Sequence, residues 1–128
     1  MPDTEKVTIN VSAVDLGKID LLVQEGLYSN RTDFIRTSIR NLIDKHSQEI
    51  QQTVTRYSYV VGVLVYNHKD FEEYKKKGQK LKIDVIGFFH ITDDVSPELA
   101  REVIEHIRVR GIFQANVALK TALADLIK

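Results

Sequence analysis

Three side chains with the hydrogen-bonding groups needed to read nucleic-acid bases occupy alternate positions near the N-terminus: Lys6, Thr8 and Asn10. They alternate with three β-branched apolar residues, namely Val7, Ile9 and Val11. Because successive side chains of a strand point to opposite faces, residues 6–12 are predicted to form a strand with one polar and one apolar face. Lysine, threonine and asparagine supply donors and acceptors that match base edges in the major groove of DNA.

So short a strand needs a partner to be stable in water, and the segment that follows it has a helical pattern. The same strand of a second copy of the chain is therefore the natural partner. Such a two-stranded ribbon would bury its valine and isoleucine side chains and present the polar ones to a DNA major groove. An ordinary solvent-exposed strand face is the alternative interpretation of Lys6, Thr8 and Asn10.

Two N-terminal capping patterns predict a pair of helices after this strand. Ser12 and Asp15 indicate a helix over roughly residues 13–25, which Gly26 ends. Asn30 and Asp33 repeat the pattern and begin a second helix. Its apolar stripe consists of Phe34, Ile35, Ile39, Leu42 and Ile43. Residues 44–50 could continue this helix.

A strand followed by two capped helices resembles the CopG-type ribbon-helix-helix module of bacterial and archaeal DNA-binding proteins. The resemblance covers residues 5–46. Residues 6–11 match the ribbon, and residues 26–36 are similar to the family signature G-x-x-x-x-R-[ST]-[DE]-[AF]-I-R. The N-terminal half of nickel-responsive repressors is especially similar.

The resemblance implies a role for two groups of residues. It implies that the base-reading side chains of an antiparallel ribbon are Lys6, Thr8 and Asn10. It also implies that the start of the second helix binds a DNA phosphate through Asn30, Arg31 and Thr32, where free N–H groups and the helix dipole favour an anion. Helix capping by Asn30 and Thr32 is the simpler interpretation and is compatible with phosphate binding, because both use the same N–H groups.

The charge of the predicted DNA-binding region is unusual for such a protein. Residues 1–50 carry six basic and eight acidic side chains. A module with this balance does not bind DNA mainly through counterion release. We therefore expect modest affinity per dimer, with a few specific contacts or several dimers side by side. The densest basic cluster lies later, at residues 75–82, where a solvated helix face and an accessory contact to the DNA backbone are the two interpretations.

The second half of the sequence contains three segments of the form Val-x-Gly followed by two apolar residues. Their glycines, Gly62, Gly87 and Gly111, lie 25 and then 24 positions apart. Helical patterns follow each segment, over residues 69–79, 97–106 and 117–127. The spacing predicts about three βα repeats with a small parallel sheet. Chance similarity among apolar strands, and a ferredoxin-like ACT-type domain as in the nickel-responsive repressors, are the alternatives.

The residues needed for metal binding or catalysis are not grouped in this sequence. Nickel-responsive repressors bind metal through several histidines and a cysteine, whereas this chain has no cysteine and four scattered histidines, His46, His68, His90 and His106. The resemblance to these repressors therefore does not imply nickel binding by this chain. His90 could still be a metal ligand across an oligomer interface. A buried histidine whose ring nitrogens are hydrogen-bonded within the chain is the simpler interpretation. Without a glycine-rich phosphate loop, a metal-spaced cluster or a nucleophile motif, we expect no enzyme activity and no cofactor.

These patterns predict an α+β protein with an N-terminal ribbon-helix-helix dimerisation module (residues 1–46), a helical linker (47–56) and a C-terminal βα-repeat oligomerisation or regulatory domain (57–128). With no signal peptide or membrane span, a cytoplasmic location is expected. The predicted function is sequence-specific regulation of transcription, as a dimeric repressor that binds double-stranded DNA. The C-terminal domain would join dimers into tetramers or longer arrays. The alternative is an antitoxin or plasmid-maintenance protein whose C-terminal half binds a protein partner.

Overall fold

The computed structural model describes residues 4–128, so the first three residues of the predicted N-terminal domain lie outside it. The chain divides into two compact units. Residues Lys6–Thr53 form the first unit, and Val54–Lys128 make up the body of the second. This division falls inside the segment expected to be a linker. Across residues 4–128, none of the helices combines the length and the apolar character needed to cross a membrane.

The first unit is helical and follows the predicted capping pattern. It contains helix α1 (Ala13–Gln24), helix α2 (Arg31–Lys45) and most of helix α3 (Ser47–Tyr57). The Ser12 hydroxyl accepts a hydrogen bond from the Asp15 N–H at 3.1 Å, so the first predicted cap is present. His46 separates α2 from α3 with φ −101° and ψ 20°, and the second helix therefore does not continue unbroken to Ile50.

Residues 4–12 form neither helix nor strand in the single chain. An isolated strand has no partner for its backbone N–H and C=O groups, and it is therefore not stable alone. The predicted ribbon requires a second chain, and it stays a prediction.

The second unit alternates strands and helices in the order that the glycine repeat predicts. Its strands are β1 (Val60–Tyr66), β2 (Leu81–Ile91) and β3 (Ile104–Gln114), paired in the order β1-β2-β3 and parallel throughout. Helices α4 (His68–Lys76), α5 (Pro97–Val103) and α6 (Val117–Leu123) each follow one strand. A ferredoxin-like domain has the order β-α-β-β-α-β, so that alternative is wrong for this unit.

The three repeat glycines lie side by side across the sheet. Gly62 is paired with Gly87, and Gly87 with Gly111, and all three have positive φ. A Cβ atom on Gly87 would overlap the carbonyl oxygen of Gly62, and a Cβ atom on Gly111 would overlap that of Gly87. A side chain is therefore excluded by the neighbouring backbone, which explains why the repeat keeps glycine at this level.

One face of the sheet and the three helices form the core of the second unit. Large apolar side chains without exposed surface come from β2, β3, α4 and α6 and include Phe71, Phe89, Ile107, Leu119 and Leu123. In β2 this face takes every second residue from Leu81 to Ile91, as strand geometry requires. All three helices contribute to this single cluster, and the second unit therefore has a hydrophobic core of its own.

All three helices predicted in the second unit end earlier than expected. The helix expected over residues 117–127 ends at Leu123 and is followed by a short 3-10 helix, Ala124–Leu126. The helix expected over residues 97–106 ends at Val103, and Ile104 is already extended with φ −79° and ψ 128°. Residues 104–106 join β3 because pairing with β2 buries Ile104 and Ile107. The helix expected over residues 69–79 ends at Lys76, since Gly78 takes φ +63° and ends the helical path.

Candidate nucleic-acid interface

The three side chains predicted to read bases lie before α1, in a segment that is exposed on both sides. Lys6, Thr8 and Asn10 are all exposed. The apolar residues between them are also uncovered, and 79% of Val7 and 67% of Ile9 are accessible to solvent. The polar side chains are thus free to contact a ligand, while the apolar side of the segment has no partner in the single chain.

The start of α2 holds the three residues predicted to bind a phosphate. Asn30 is the N-cap, and its side-chain oxygen accepts a hydrogen bond from the Asp33 N–H at 2.8 Å. The Asp33 carboxylate in turn accepts from the Ser29 N–H at 2.9 Å. Arg31 and Thr32 occupy the first turn, where helix geometry leaves backbone N–H groups without a carbonyl partner. The capping role of Asn30 is therefore present, and the N–H groups of the first turn are placed where they can bind an anion.

Two aromatic rings pack at the turn that precedes α2. Tyr28 meets Phe34 edge to face, with ring centroids 5.1 Å apart. Tyr28 lies two residues before the N-cap, Asn30, and Phe34 lies at the end of the first turn of the helix. The contact therefore fixes the direction in which the chain enters α2 and, with it, the position of Asn30.

The Arg31 side chain makes an ion pair that the sequence pattern did not reveal. Its Nε and one terminal nitrogen donate to the two carboxylate oxygens of Asp20 on α1, both at 2.8 Å. The hydrogen bond from Arg31 lowers the pKa of Asp20, and the same bond raises the pKa of Arg31. The partners are 11 positions apart in the sequence, and no local spacing rule connects them. The predicted phosphate ligand is thus already bound to an acidic group in the single chain.

The basic cluster of residues 75–82 lies in the second unit and is partly neutralised by acidic neighbours. Lys75 pairs with the Glu102 carboxylate at 3.4 Å, and Lys82 pairs with Glu105 at 3.7 Å. Lys80 donates to the backbone carbonyl of Glu102 at 2.6 Å. Lysines at the C-terminal end of α4 also suit the helix dipole. These contacts favour a structural role for the cluster over a contact to DNA.

Each of the four histidines contacts a different group of the chain. His90 is buried, and its Nδ1 atom donates to the Gln114 carbonyl at 2.9 Å. His106 contacts both carboxylate oxygens of Asp84 at 3.0 Å. His68 pairs with Glu72 on α4, and His46, between α2 and α3, pairs with Glu49 in the first turn of α3. Over the described range 4–128, no three metal-binding side chains come together. His90 has the partner expected of a satisfied buried histidine.

Comparison with known proteins identifies the class of the chain. Residues 2–120 match the model of the Ribbon-Helix-Helix transcriptional regulator family. The transcriptional regulator CdrS of Halobacterium salinarum is 29% identical over 45 residues, which cover 35% of this chain and 82% of that protein. An uncharacterized protein of Methanocaldococcus jannaschii is 27% identical over 94 residues, or 73% of this chain and 87% of that protein. No solved structure gives a significant match. Since the family match spans nearly the whole chain, the protein belongs to the ribbon-helix-helix transcriptional regulator family.

Proposed function

We propose that the protein is a sequence-specific DNA-binding repressor that acts as a homodimer, with residues 1–46 as the DNA-binding domain. Membership of a family of transcriptional regulators supports the general function. The observation that carries the specific proposal is the uncovered apolar surface of the first unit. Among its described residues only Ile19 is buried, so a single copy of this unit has no hydrophobic core.

The uncovered apolar residues lie on every part of the first unit. They belong to the N-terminal segment (Val7, Ile9, Val11), to α1 (Val14, Leu21), to the turn (Leu27), to α2 (Ile35, Ile39, Leu42, Ile43) and to α3 (Ile50). Soluble monomers rarely expose contiguous apolar patches of more than a few hundred Å². A second copy of the same unit supplies a matching apolar surface, because an isologous dimer pairs each patch with itself.

Pairing of residues 6–12 between the two copies would complete the ribbon. The apolar residues Val7, Ile9 and Val11 would then face the helices of the dimer, and the polar residues would face outward. In this arrangement Lys6, Thr8 and Asn10 contact base edges in the major groove. The exposure of all three polar side chains is compatible with this role.

The N-terminus of α2 is proposed to bind a phosphate beside the ribbon. Backbone N–H groups of Arg31 and Thr32, together with the cap residue Asn30, would hold the anion at the positive end of the helix dipole. The Arg31 guanidinium would have to leave Asp20 or share its hydrogen bonds with the phosphate. This competition agrees with the net acidic charge of residues 1–50, and both indicate modest affinity for DNA.

A binding assay with selected operators tests the proposal. Random DNA fragments are selected with the purified protein, and the resulting operator is compared with a mismatched version. Replacing one proposed base-reading side chain, as in Thr8→Ala or Asn10→Ala, should weaken the binding free energy for the matched operator by about 1–3 kcal/mol. Binding to the mismatched operator should change little. Thr121→Ala, an exposed threonine on α6, is the matched control and should change neither. Equal losses on both DNAs would contradict base reading.

The antitoxin alternative predicts a C-terminal half that folds only on a protein partner. The second unit instead encloses a core that three strands and three helices share. This core supports the regulator over the antitoxin. Thermal unfolding of residues 54–128 expressed alone separates the two functions, because a regulator's domain should melt cooperatively without any added partner.

A further inference from the structure

We propose that strand β1 of the second unit pairs with β1 of a second copy of the chain, antiparallel and about a two-fold axis, and so joins two three-stranded sheets into one of six strands. This inference rests on the dimer proposed above, which holds the two chains together. It concerns a different surface, and that surface carries no DNA-binding residue.

The outer edge of β1 lacks the features that protect sheet edges. Its seven residues, 60–66, include no charged residue and no proline. In the described part of the chain, β1 pairs only with β2, so the other edge of the strand is open. Soluble proteins normally protect such edges with lysine, proline, a bulge or a covering segment, because an exposed apolar edge recruits another strand.

The opposite edge of the same sheet shows this protection. Strand β3 carries charged side chains along its length, including Glu105, Arg108 and Arg110. Its outer side is also occupied, since Ile127 bridges to Ile107 and the Lys128 N–H donates to the Ile107 carbonyl at 2.8 Å. Because the edge of β3 is charged and occupied whereas that of β1 is apolar and open, β1 is the strand that can pair with a further strand.

The side chains of β1 continue this apolar character onto the face of the sheet that lies away from the core. Val61, Val63 and Val65 point to that face and are each more than half exposed. On β2 they neighbour Ile86 and Phe88. Parallel sheets are generally covered on both faces. A second copy would extend the valine row into a continuous stripe and would bring no like charges together, because the strand has none.

The identity of the partner follows from charge, register and area. An antiparallel copy that pairs all seven residues places Val63 opposite itself and Val61 opposite Val65, so only β-branched residues meet on the open face.

The strand edge is too small to hold two chains together by itself. Because the strand is only about 23 Å long, the area that its edge can bury is much smaller than the roughly 800 Å² per partner of a stable interface. Pairing therefore needs two chains that are already joined, as in the ribbon dimer, where the local concentration of the second β1 is high.

The lack of native cysteine makes a direct test possible. The carbonyl groups of Gly62 and Tyr66 point toward β2, so Val63 directs its own N–H and C=O to the open edge. In the full-length Val63→Cys variant the two cysteines therefore form a hydrogen-bonded cross-strand pair with Cα atoms about 5.5 Å apart, within the range of a disulfide, and mild oxidation at low protein concentration should give a disulfide-linked dimer. Val61→Cys should not cross-link to itself, because its copy lies four residues away along the strand, about 13 Å. A mixture of Val61→Cys and Val65→Cys chains should cross-link, which checks the register.

Val117→Cys is the matched control. Val117 is 81% exposed at the start of α6, compared with 57% for Val63, so random collisions would oxidise the thiol of the control variant at least as fast. Light scattering of the reduced proteins is measured in parallel. A dimer in which the Val63→Cys chains link no faster than the Val117→Cys chains overturns the β1 pairing and leaves the ribbon dimer intact. A monomer overturns both proposals.

Discussion

Arg31 at the start of α2 donates two parallel hydrogen bonds to the carboxylate of Asp20 on α1, each 2.8 Å long. The geometry is bidentate, the form in which arginine also binds phosphate. A phosphate bound by Arg31, as proposed above, would therefore compete with Asp20 for these hydrogen-bond donors. This one pair links the stability of the first unit to the proposed DNA contact.

The ion pair between Asp20 and Arg31 predicts that the stability of the folded chain decreases at low pH. Because the hydrogen bond from Arg31 lowers the pKa of Asp20 in the folded chain, the pair contributes stability above the unfolded pKa of aspartate. That contribution is lost as pH falls through the lowered folded pKa. An NMR titration of the Asp20 carboxyl group should therefore give a midpoint below that of an ordinary aspartate. In the Arg31→Ala variant the midpoint should return to the ordinary value, and an unchanged midpoint would show that the pair is absent in solution.

Removing the acidic partner should strengthen DNA binding. In Asp20→Asn the guanidinium is released for phosphate, so affinity should rise by several fold on matched and mismatched DNA alike. Arg31→Ala should weaken binding to both DNAs and reduce the slope of log K against log salt by about 1. Asp44→Asn makes the same charge change at the other end of α2 and is the control. Equal gains in DNA affinity for Asp20→Asn and Asp44→Asn would show that the change in net charge, and not the release of Arg31, causes the effect.

The exposed stripe of α2 should prove to be a dimer interface. Ile39 is 54% exposed in the single chain but would be buried between two copies. Ile39→Asp places an unpaired charge there and should convert the dimer to a largely unfolded first unit, since burying an isolated carboxylate is strongly unfavourable. Asn41→Asp adds the same charge on the other side of the helix, about 200° around its axis from Ile39. This variant should keep the molecular mass of a dimer. Sedimentation velocity measures both variants, and a dimeric Ile39→Asp protein would exclude this interface.

The glycine row predicts a graded series of stabilities. Gly62→Ala forces a side chain into a positive φ but meets nothing within 4 Å, and should cost about 1–3 kcal/mol. Gly87→Ala adds an overlap with the carbonyl oxygen of Gly62, so its cost should exceed about 4 kcal/mol or prevent folding. Urea unfolding followed by circular dichroism measures the difference. Similar costs for the two variants would mean that the strands separate easily at this level.

Local patterns in the sequence determined the elements of this protein. The caps at Ser12 and Asn30 are formed by hydrogen bonds over three residues, and spacing alone reveals such contacts. The Val-x-Gly repeat likewise predicted three parallel strands, because each repeat carries its own strand and glycine. Family membership was also readable from residues 6–11 and 26–36, since the family match includes both segments.

Tertiary structure decided what local spacing does not encode. The Arg31–Asp20 pair depends on how α1 and α2 fold back on each other, and β3 begins at Ile104 because pairing with β2 prevails over the helical pattern of residues 97–106. The contrast between the open edge of β1 and the occupied edge of β3 also appears only once the strand order is known. Capping and periodicity act within a few residues, whereas ion pairs, strand register and sheet edges join parts of the chain that the sequence keeps apart.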